Sequence, residues 1–419
     1  MQQPEPRMPV DRRVRLTPGR GISTFGALLV GAMTGNLMPL MIIAMGEDLG
    51  FREDAAGGVM TACLLACALT CLATTRWAEP RSRYLLGRVS MIAMAAGFGI
   101  AAFVPSTPVA VVGIIVGGMA SGGAVAVGGA ALAALRNSNR VSGLSGLVNR
   151  VVITAVLALI PILGTHMTNA FGIVAALALA VAFTTTWLPA SLIDHETNLR
   201  EDATKTVLPE GISRTSLTIA GFTLLTCFAV WAISEDSMWT VAGVMGADTA
   251  NLSEHQMGLA LSLSTAGGIL AALALALIGS HFGRTIPIAI LLLLGGALKL
   301  GTCMATGPTM FVVLIVAWNT VYAVVFMYIV AIASALDPSG RWSAPILGTY
   351  MVGSAFAPLF GTLISQTLGY HVLGLILGGI SVALVSPIVA IARLASRTER
   401  ESAPHQGESD ASFNEAAIV

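Results

Sequence analysis

The sequence predicts an all-α membrane protein with about twelve transmembrane helices, arranged as two pseudo-symmetric six-helix bundles. Two facts of composition support this fold class, since hydrophobic residues make up 55% of the 419 residues and charged residues only 11%. The third observation is that apolar stretches of about 20 residues recur along the chain, and a helix of that length spans the roughly 30 Å core of a bilayer. The 45 glycines suit helices that pack closely in lipid.

The apolar stretches fall into two sets of six, on either side of the longest polar segment inside the chain. We predict spans at 21–46, 55–76, 84–104, 108–135, 141–165, 169–190, 215–246, 254–279, 285–304, 308–335, 342–366 and 371–394. The first six would form a bundle over 21–190, and the last six a bundle over 215–395. We interpret 191–214 as a linker, with polar tails at 1–20 and 396–419.

The lysines and arginines predict the orientation of these spans. With the N-terminus in the cytoplasm, all but three of the 22 fall in cytoplasmic segments, the exceptions being Arg52, Arg150 and Lys299. Because basic residues are retained on the cytoplasmic side, this distribution places both termini and the linker in the cytoplasm. No cleavable signal peptide is expected, since no short apolar region precedes the first span. We therefore expect a multi-pass protein of a bacterial inner membrane.

An internal repeat supports the division into halves. Residues 134–142 read ALRNSNRVS and residues 335–343 read ALDPSGRWS, so five of nine positions match at an offset of 201 residues. The same offset superposes Glu53 on Glu254, each near the start of the second span of its half. Similarity at one offset in two places indicates duplication of a six-helix unit.

Two local features refine individual helices. Pro39 in the first span cannot donate a backbone hydrogen bond, which predicts a kink there. Ser253 and Gln256 have the spacing of a capping box at the start of the eighth helix.

The second half carries GSHFGRT at 279–285, in the loop that joins its second and third spans. With two sets of six spans and this loop, the chain resembles the major facilitator superfamily of secondary transporters, because Gly279 and Arg284 match the family's loop signature while Gly283 replaces its aspartate. The resemblance implies two six-helix bundles and transport by alternating access. The fourth and fifth spans lack the arginine and the GxxxGP motif of the drug-exporting members, although GSAFAPLFG at 353–361 is a near-copy of that motif.

Arg150 is the most informative polar residue. It lies ten residues beyond Arg140, which is about 15 Å along a helix and near the middle of the bilayer. A charge there is costly unless it is paired or hydrated. Arg150 with its neighbour Asn149 would bind an anionic group of the solute or a coupling carboxylate. The alternative is an arginine locked structurally to a carboxylate or to carbonyl groups between helices.

Glu235 and Asp236 are the candidate proton-coupling residues. They lie about 20 residues into the seventh span, and apolar sequence continues after them, so this span is broken or protrudes. A carboxylate that faces a cavity could carry a proton. Alternatively the pair marks the outer end of the span, with Trp239 in the aromatic belt.

Further polar and aromatic residues lie in the spans that line the central cavity in this family. They offer hydrogen bonds and flat surfaces to an organic solute, or else hydrogen bonds between helices. These candidates for substrate binding are Asn36, Trp231, Trp318, Asn319, Tyr322 and Tyr350.

The cytoplasmic loops of the second half could hold a conformational latch. Arg284 after the eighth span could pair with Asp337 after the tenth, with Gly279 in the same signature loop. Arg140 and Arg341 occupy equivalent positions in the repeat. The alternative is that these residues only follow the charge rule for orientation.

Two other features have simpler interpretations. Cys63, Cys67 and Cys71 share one helical face, which indicates small-residue packing rather than a metal site. Lys299 lies near the outer end of the ninth span, so we expect its side chain to extend to the headgroups.

The sequence therefore predicts a secondary active transporter that moves a small organic solute across the inner membrane, with protons as the coupling ion. Arg150 favours an anionic solute. The alternatives are a proton antiporter that exports drugs or metabolites, and a non-transporting sensor or scaffold. No enzyme activity, cofactor or metal is expected, because no catalytic or metal-binding motif occurs. The zero net charge gives no sign of a nucleic-acid partner. We expect a monomer in the lipid bilayer.

Overall fold

A computed structural model describes residues 14–74, 77, 82–136, 138–189, 214–278, 283–336 and 342–402. Regular structure in these residues is helical, apart from an isolated bridge between Val14 and Leu135. The helices form two compact units, one on each side of residues 190–213.

The first unit contains six predicted spans, of which the first and last are each divided into two helices. Its helices are α1 (Pro18–Asn36), α2 (Met38–Leu49), α3 (Glu53–Thr74), α4 (Arg83–Phe103), α5 (Thr107–Ala133), α6 (Ser138–Leu163), α7 (Met167–Ala170) and α8 (Gly172–Ala182). A 3-10 turn at Thr185–Trp187 follows.

The first span bends by 56° between α1 and α2. Leu37 forms the junction, and Pro39 lies in the first turn of α2. Because proline has no backbone N–H, it cannot bond to the carbonyl four residues earlier, and its ring crowds that carbonyl. The predicted kink at Pro39 is confirmed.

The second unit contains the other six spans. Its helices are α9 (Arg214–Ala250), α10 (Glu254–Ile278), α11 (Thr285–Cys303), α12 (Pro308–Leu336) and α13 (Ser343–Ser402). The 60 residues of α13 are interrupted at Gly369, whose φ of 83° is accessible to glycine without strain. This break separates the predicted eleventh and twelfth spans.

The helices correspond in order to the twelve predicted spans. Among the described residues, eight helices are long and apolar enough to cross a membrane, or nine when α1 and α2 count as one bent span. The pair α7–α8, the helix α10 and the second part of α13 account for the others. The prediction of an all-α membrane protein with two six-helix bundles is confirmed.

Helix starts repeat with the period of the sequence. Glu53 begins α3 and Glu254 begins α10, 201 residues later. The backbone N–H of Ser253 donates to the Gln256 side chain at 3.0 Å, and the N–H of Gln256 lies 3.4 Å from the Ser253 hydroxyl. The predicted capping box is confirmed.

Glycines of α5 allow close contact with the cysteine face of α3. A Cβ atom at Gly118 would overlap Cys63, and one at Gly122 would overlap the backbone carbonyl of Cys67. Both cysteines are buried. The sequence predicted small-residue packing for this face, and that prediction is confirmed at Cys63 and Cys67.

We predict that Gly122→Ala lowers the stability of the protein by about 1–3 kcal/mol, because the added methyl group meets rigid backbone. Gly129→Ala in the same helix is the matched control, since a Cβ atom there meets nothing within 4 Å. Thermal unfolding in detergent measures both. Equal melting temperatures for the two variants would contradict the packing assigned to Gly122.

Candidate functional site

Four consecutive polar residues, 234–237, interrupt the apolar sequence of α9, and they contact several helices of the same unit. Successive residues of an α-helix point about 100° apart. Glu235 therefore contacts α11 and α12, Ser234 contacts α11 and α13, and Asp236 contacts α13. The helix is unbroken over its 37 residues. It does not break at this point, as one interpretation of its length allowed.

Glu235 forms a buried ion pair with Lys299 of α11. The Lys299 Nζ atom lies 2.6 Å from Glu235 Oε1, and the Trp318 indole N–H donates to Oε2 at 2.6 Å. Glu235 is 3% exposed and Lys299 is fully buried. Each carboxylate oxygen thus has a donor, and the negative charge is compensated where water is excluded.

Lys299 also connects the pair to α13. Its ammonium group donates to the Ser234 hydroxyl at 2.7 Å, and that hydroxyl donates to the Leu377 carbonyl at 3.2 Å. The expectation that Lys299 extends to the headgroups is wrong. The physical reason is that a buried carboxylate lies within reach and stabilises the charge inside the unit.

Asp236 has a different environment. It is half-buried, and the Tyr350 hydroxyl lies 3.0 and 2.9 Å from its two oxygens. The Tyr322 hydroxyl lies 2.7 Å from that of Tyr350, and Ser354 also hydrogen-bonds to Asp236. Among the described residues, no lysine or arginine nitrogen lies within 4.0 Å of the carboxylate. Its hydrogen-bond donors are therefore neutral hydroxyl groups.

Aromatic rings surround the hydroxyl groups of Tyr350 and Tyr322. Trp231 stacks on Tyr322 with centroids 5.2 Å apart and on Phe228 at 5.7 Å. Trp231 is only 1% exposed, because rings of the same unit cover it. Trp239 is buried and lies 6.5 Å from Trp318. Burial of Trp239 argues against the alternative in which it belongs to an aromatic belt at the outer end of the span.

Four of the residues proposed to bind substrate are thus brought together in the second unit, namely Trp231, Trp318, Tyr322 and Tyr350. A fifth, Asn319, is adjacent to Trp318 in α12 and is 5% exposed. Within the described part of the chain, its Oδ1 atom accepts no hydrogen bond. A buried carbonyl oxygen without a donor is costly.

The first unit contains the remaining substrate candidates. Asn149 and Arg150 are half-buried in α6. Among the described residues, no donor contacts the Oδ1 atom of Asn149, and no carboxylate lies within 4.0 Å of Arg150. Asn36 ends α1, where its side-chain amide donates to the Ala32 carbonyl at 2.8 Å.

The proposed cytoplasmic latch lies mostly outside the described residues. Arg284 immediately precedes α11 and is half-buried. Gly279, Asp337 and Arg341 fall in segments that the structure does not describe, as does the side chain of Arg140. The latch stays a prediction.

Sequence reasoning missed three residues of this site. Lys299 was identified as a deep basic residue but was paired with nothing, and Ser234 and Ser354 were not singled out. A signal was present, because a lysine and a glutamate in two apolar spans of the same half, the ninth and the seventh, could neutralise each other.

The sequence matches a known family, and the fold is similar to those of solved transporter structures. Residues 23–246 match the model of the family described as the Major Facilitator Superfamily. A D-xylose–proton symporter is 13% identical, with a TM-score of 0.63 over 87% of this chain and 95% of that one. The nucleoside transporter NupG is 16% identical, with a TM-score of 0.64 over 90% of this chain and 99% of that one.

The human organic anion transporter MFSD10 (TETRAN) is 15% identical, with a TM-score of 0.63 over 91% of this chain and all of that one. Curated protein sequences give no significant match. At these identities the solved structures show a shared fold alone. The family model, however, matches more than half of the chain, and the chain therefore belongs to the major facilitator superfamily, a family of transporters rather than enzymes.

Proposed function

We propose that this protein is a proton-coupled secondary transporter of a small organic solute, and that Asp236 carries the proton. The observation that supports this assignment is the contrast between two adjacent carboxylates. Lys299 compensates the charge of Glu235, whereas Asp236 is bound by neutral hydroxyl groups. A half-buried carboxylate without a nearby cation can be neutralised by a proton. The neutral carboxyl group then costs less free energy than the charged one when it is placed in an apolar environment.

The solute is proposed to be a small organic molecule, and Arg150 favours an anionic group on it. Arginine presents a planar fork of donors that matches a carboxylate or phosphate. The structural relatives are described as transporters of a sugar, a nucleoside and organic anions, so their chemistry differs. Movement would occur by alternating access in a bacterial inner membrane, with both termini in the cytoplasm. We propose a monomer, because one chain supplies both repeats.

Replacing Asp236 should separate coupling from exchange. Liposomes with the purified protein are tested for uptake of D-xylose, uridine, dialanine and benzoate under an imposed pH gradient. Asp236→Asn should reduce the accumulation ratio of the transported solute to about 1, because no proton gradient then drives transport. Exchange of labelled for unlabelled solute should persist, since it needs no net proton movement.

The matched control is Asp248→Asn, which removes another tyrosine-bound carboxylate from the same helix. Asp248 is exposed and accepts from the Tyr370 hydroxyl at 2.9 Å. This variant should accumulate solute as the wild type does. Unchanged gradient-driven uptake by a folded Asp236→Asn protein would contradict the assignment. Outward pumping against the gradient would identify the antiport alternative.

The ion pair between Glu235 and Lys299 should stabilise the fold rather than couple transport to protons. Glu235→Gln or Lys299→Met alone leaves one buried charge uncompensated and should cost about 3–5 kcal/mol. The double variant should recover most of this loss, because no charge is then buried. Thermal unfolding of the wild type, the two single variants and the double variant gives a double-mutant cycle. The control is Arg52→Gln at the surface ion pair with Asp54, which should change stability little. Additive losses would show that the two residues act independently.

Arg150 should contribute to solute binding rather than to folding. Arg150→Ala should abolish uptake, and Arg150→Lys should recover only part of it because lysine lacks the bidentate fork. Melting temperatures should stay near that of the wild type. Arg52→Ala, which removes an exposed arginine of the same unit, is the control. Normal uptake by a well-folded Arg150→Ala protein would exclude the role.

A further inference from the structure

Asp236, Tyr350 and Tyr322 form a chain of hydrogen-bonded oxygens across three helices, here called the hydroxyl chain. The Tyr350 hydroxyl is 2.9 Å from the nearer Asp236 oxygen and 2.7 Å from the Tyr322 hydroxyl. Each phenol has one hydrogen to donate and lone pairs with which to accept. The number of hydrogens therefore decides the direction of each bond in the chain.

With Asp236 ionised, both directions are fixed. The carboxylate has no hydrogen, so Tyr350 must donate to it. Tyr350 then has no second hydrogen, and only Tyr322 can donate in the contact between the two phenols. Two hydrogens serve two contacts, and the Tyr322 hydrogen is committed to Tyr350.

With Asp236 protonated, the chain contains a third hydrogen. The carboxyl group can donate to Tyr350, and its other oxygen can still accept from Ser354. Tyr350 can then donate to Tyr322. In that arrangement the Tyr322 hydrogen is released from Tyr350 and can serve another acceptor.

This change needs rotation of hydroxyl hydrogens and no displacement of rings. Tyr322 stacks on Trp231 at 5.2 Å, and Tyr350 packs edge-on against Phe326 at 5.2 Å. The rings hold the oxygen positions while the hydrogens reorient. Linked hydrogen bonds also polarise one another, so the change at one end is felt at the other.

The other charges near Asp236 do not supply this hydrogen. The adjacent Glu235 is held by Lys299 and Trp318, and both its oxygens accept from them. Ser354 and Tyr350 are the neutral donors that contact the carboxylate. The additional hydrogen in the chain must therefore come with the transported proton.

We propose that protonation of Asp236 reverses the hydroxyl chain and makes Tyr322 a donor to the solute. This inference rests on the proposed function, since it takes the proton carried by Asp236 as the trigger. It specifies a solute that presents a hydrogen-bond acceptor, such as a carboxylate or a carbonyl, to Tyr322. Proton and solute then bind together, which makes the protein a symporter.

Infrared difference spectra test whether the hydrogen bonds of the hydroxyl chain reverse. The protein is measured in liposomes without solute, and the spectrum in alkaline buffer is subtracted from that in acidic buffer. The wild type should show the C=O band of a protonated carboxyl and a shift in a tyrosine C–O band. Asp236→Asn should remove both signals. Tyr322→Phe identifies its own band, and Tyr350→Phe should keep the carboxyl band but lose the Tyr322 shift.

Tyr328→Phe is the matched control, because Tyr328 is a half-buried tyrosine in the same helix as Tyr322. It should leave both signals unchanged. A carboxyl band without a Tyr322 shift, or a shift that survives Tyr350→Phe, would overturn the reversal and leave the proposed function intact. Absence of any band dependent on Asp236 would overturn both.

Solute affinity tests the class of ligand. For the panel solute that wild-type liposomes accumulate, binding measured by tryptophan fluorescence should weaken about tenfold from acidic to alkaline buffer, the effect of about one hydrogen bond. Tyr350→Phe should bind it with little dependence on pH. Tighter binding in alkaline buffer would overturn the symport direction.

Discussion

The ion pair between Glu235 and Lys299 is the constraint on which the second unit depends. Neither charge can be left alone in an environment without water, so α9 and α11 must keep these side chains within hydrogen-bonding distance. Trp318 supplies the second donor to Glu235 and brings α12 into the same arrangement. Helices that must satisfy one pair of charges have little freedom to slide, and this fixes the positions of the aromatic rings.

The same constraint gives two adjacent carboxylates different chemistry. Glu235 is paired with the lysine, whereas the carboxylate of Asp236, about 100° further around the helix, is bound by hydroxyl groups within the described part of the chain. A transporter of this superfamily that couples to protons needs a group whose charge can change during the cycle. We propose Asp236 as this group, with the hydroxyl chain as the route by which its proton influences the solute.

Much of the fold could be predicted from the sequence, because bilayer thickness and helical rise set the length of each span. The kink at Pro39 and the capping box at Ser253 depend on residues close in sequence, so local patterns suffice for them. The role of Lys299 could not be predicted. A lysine near a helix end fits both headgroup contact and a buried pair, and only the neighbouring helix decides between them.

We propose that Asp236 exchanges a proton while the adjacent, lysine-paired Glu235 does not. Carbon-13 NMR of selectively labelled aspartate and glutamate side chains, assigned by Asp236→Asn and Glu235→Gln, observes each carboxyl directly across a range of pH. We predict that the Asp236 signal moves with pH and that the Glu235 signal keeps one position throughout the range. Titration of Glu235, or an Asp236 signal that never moves, would contradict it.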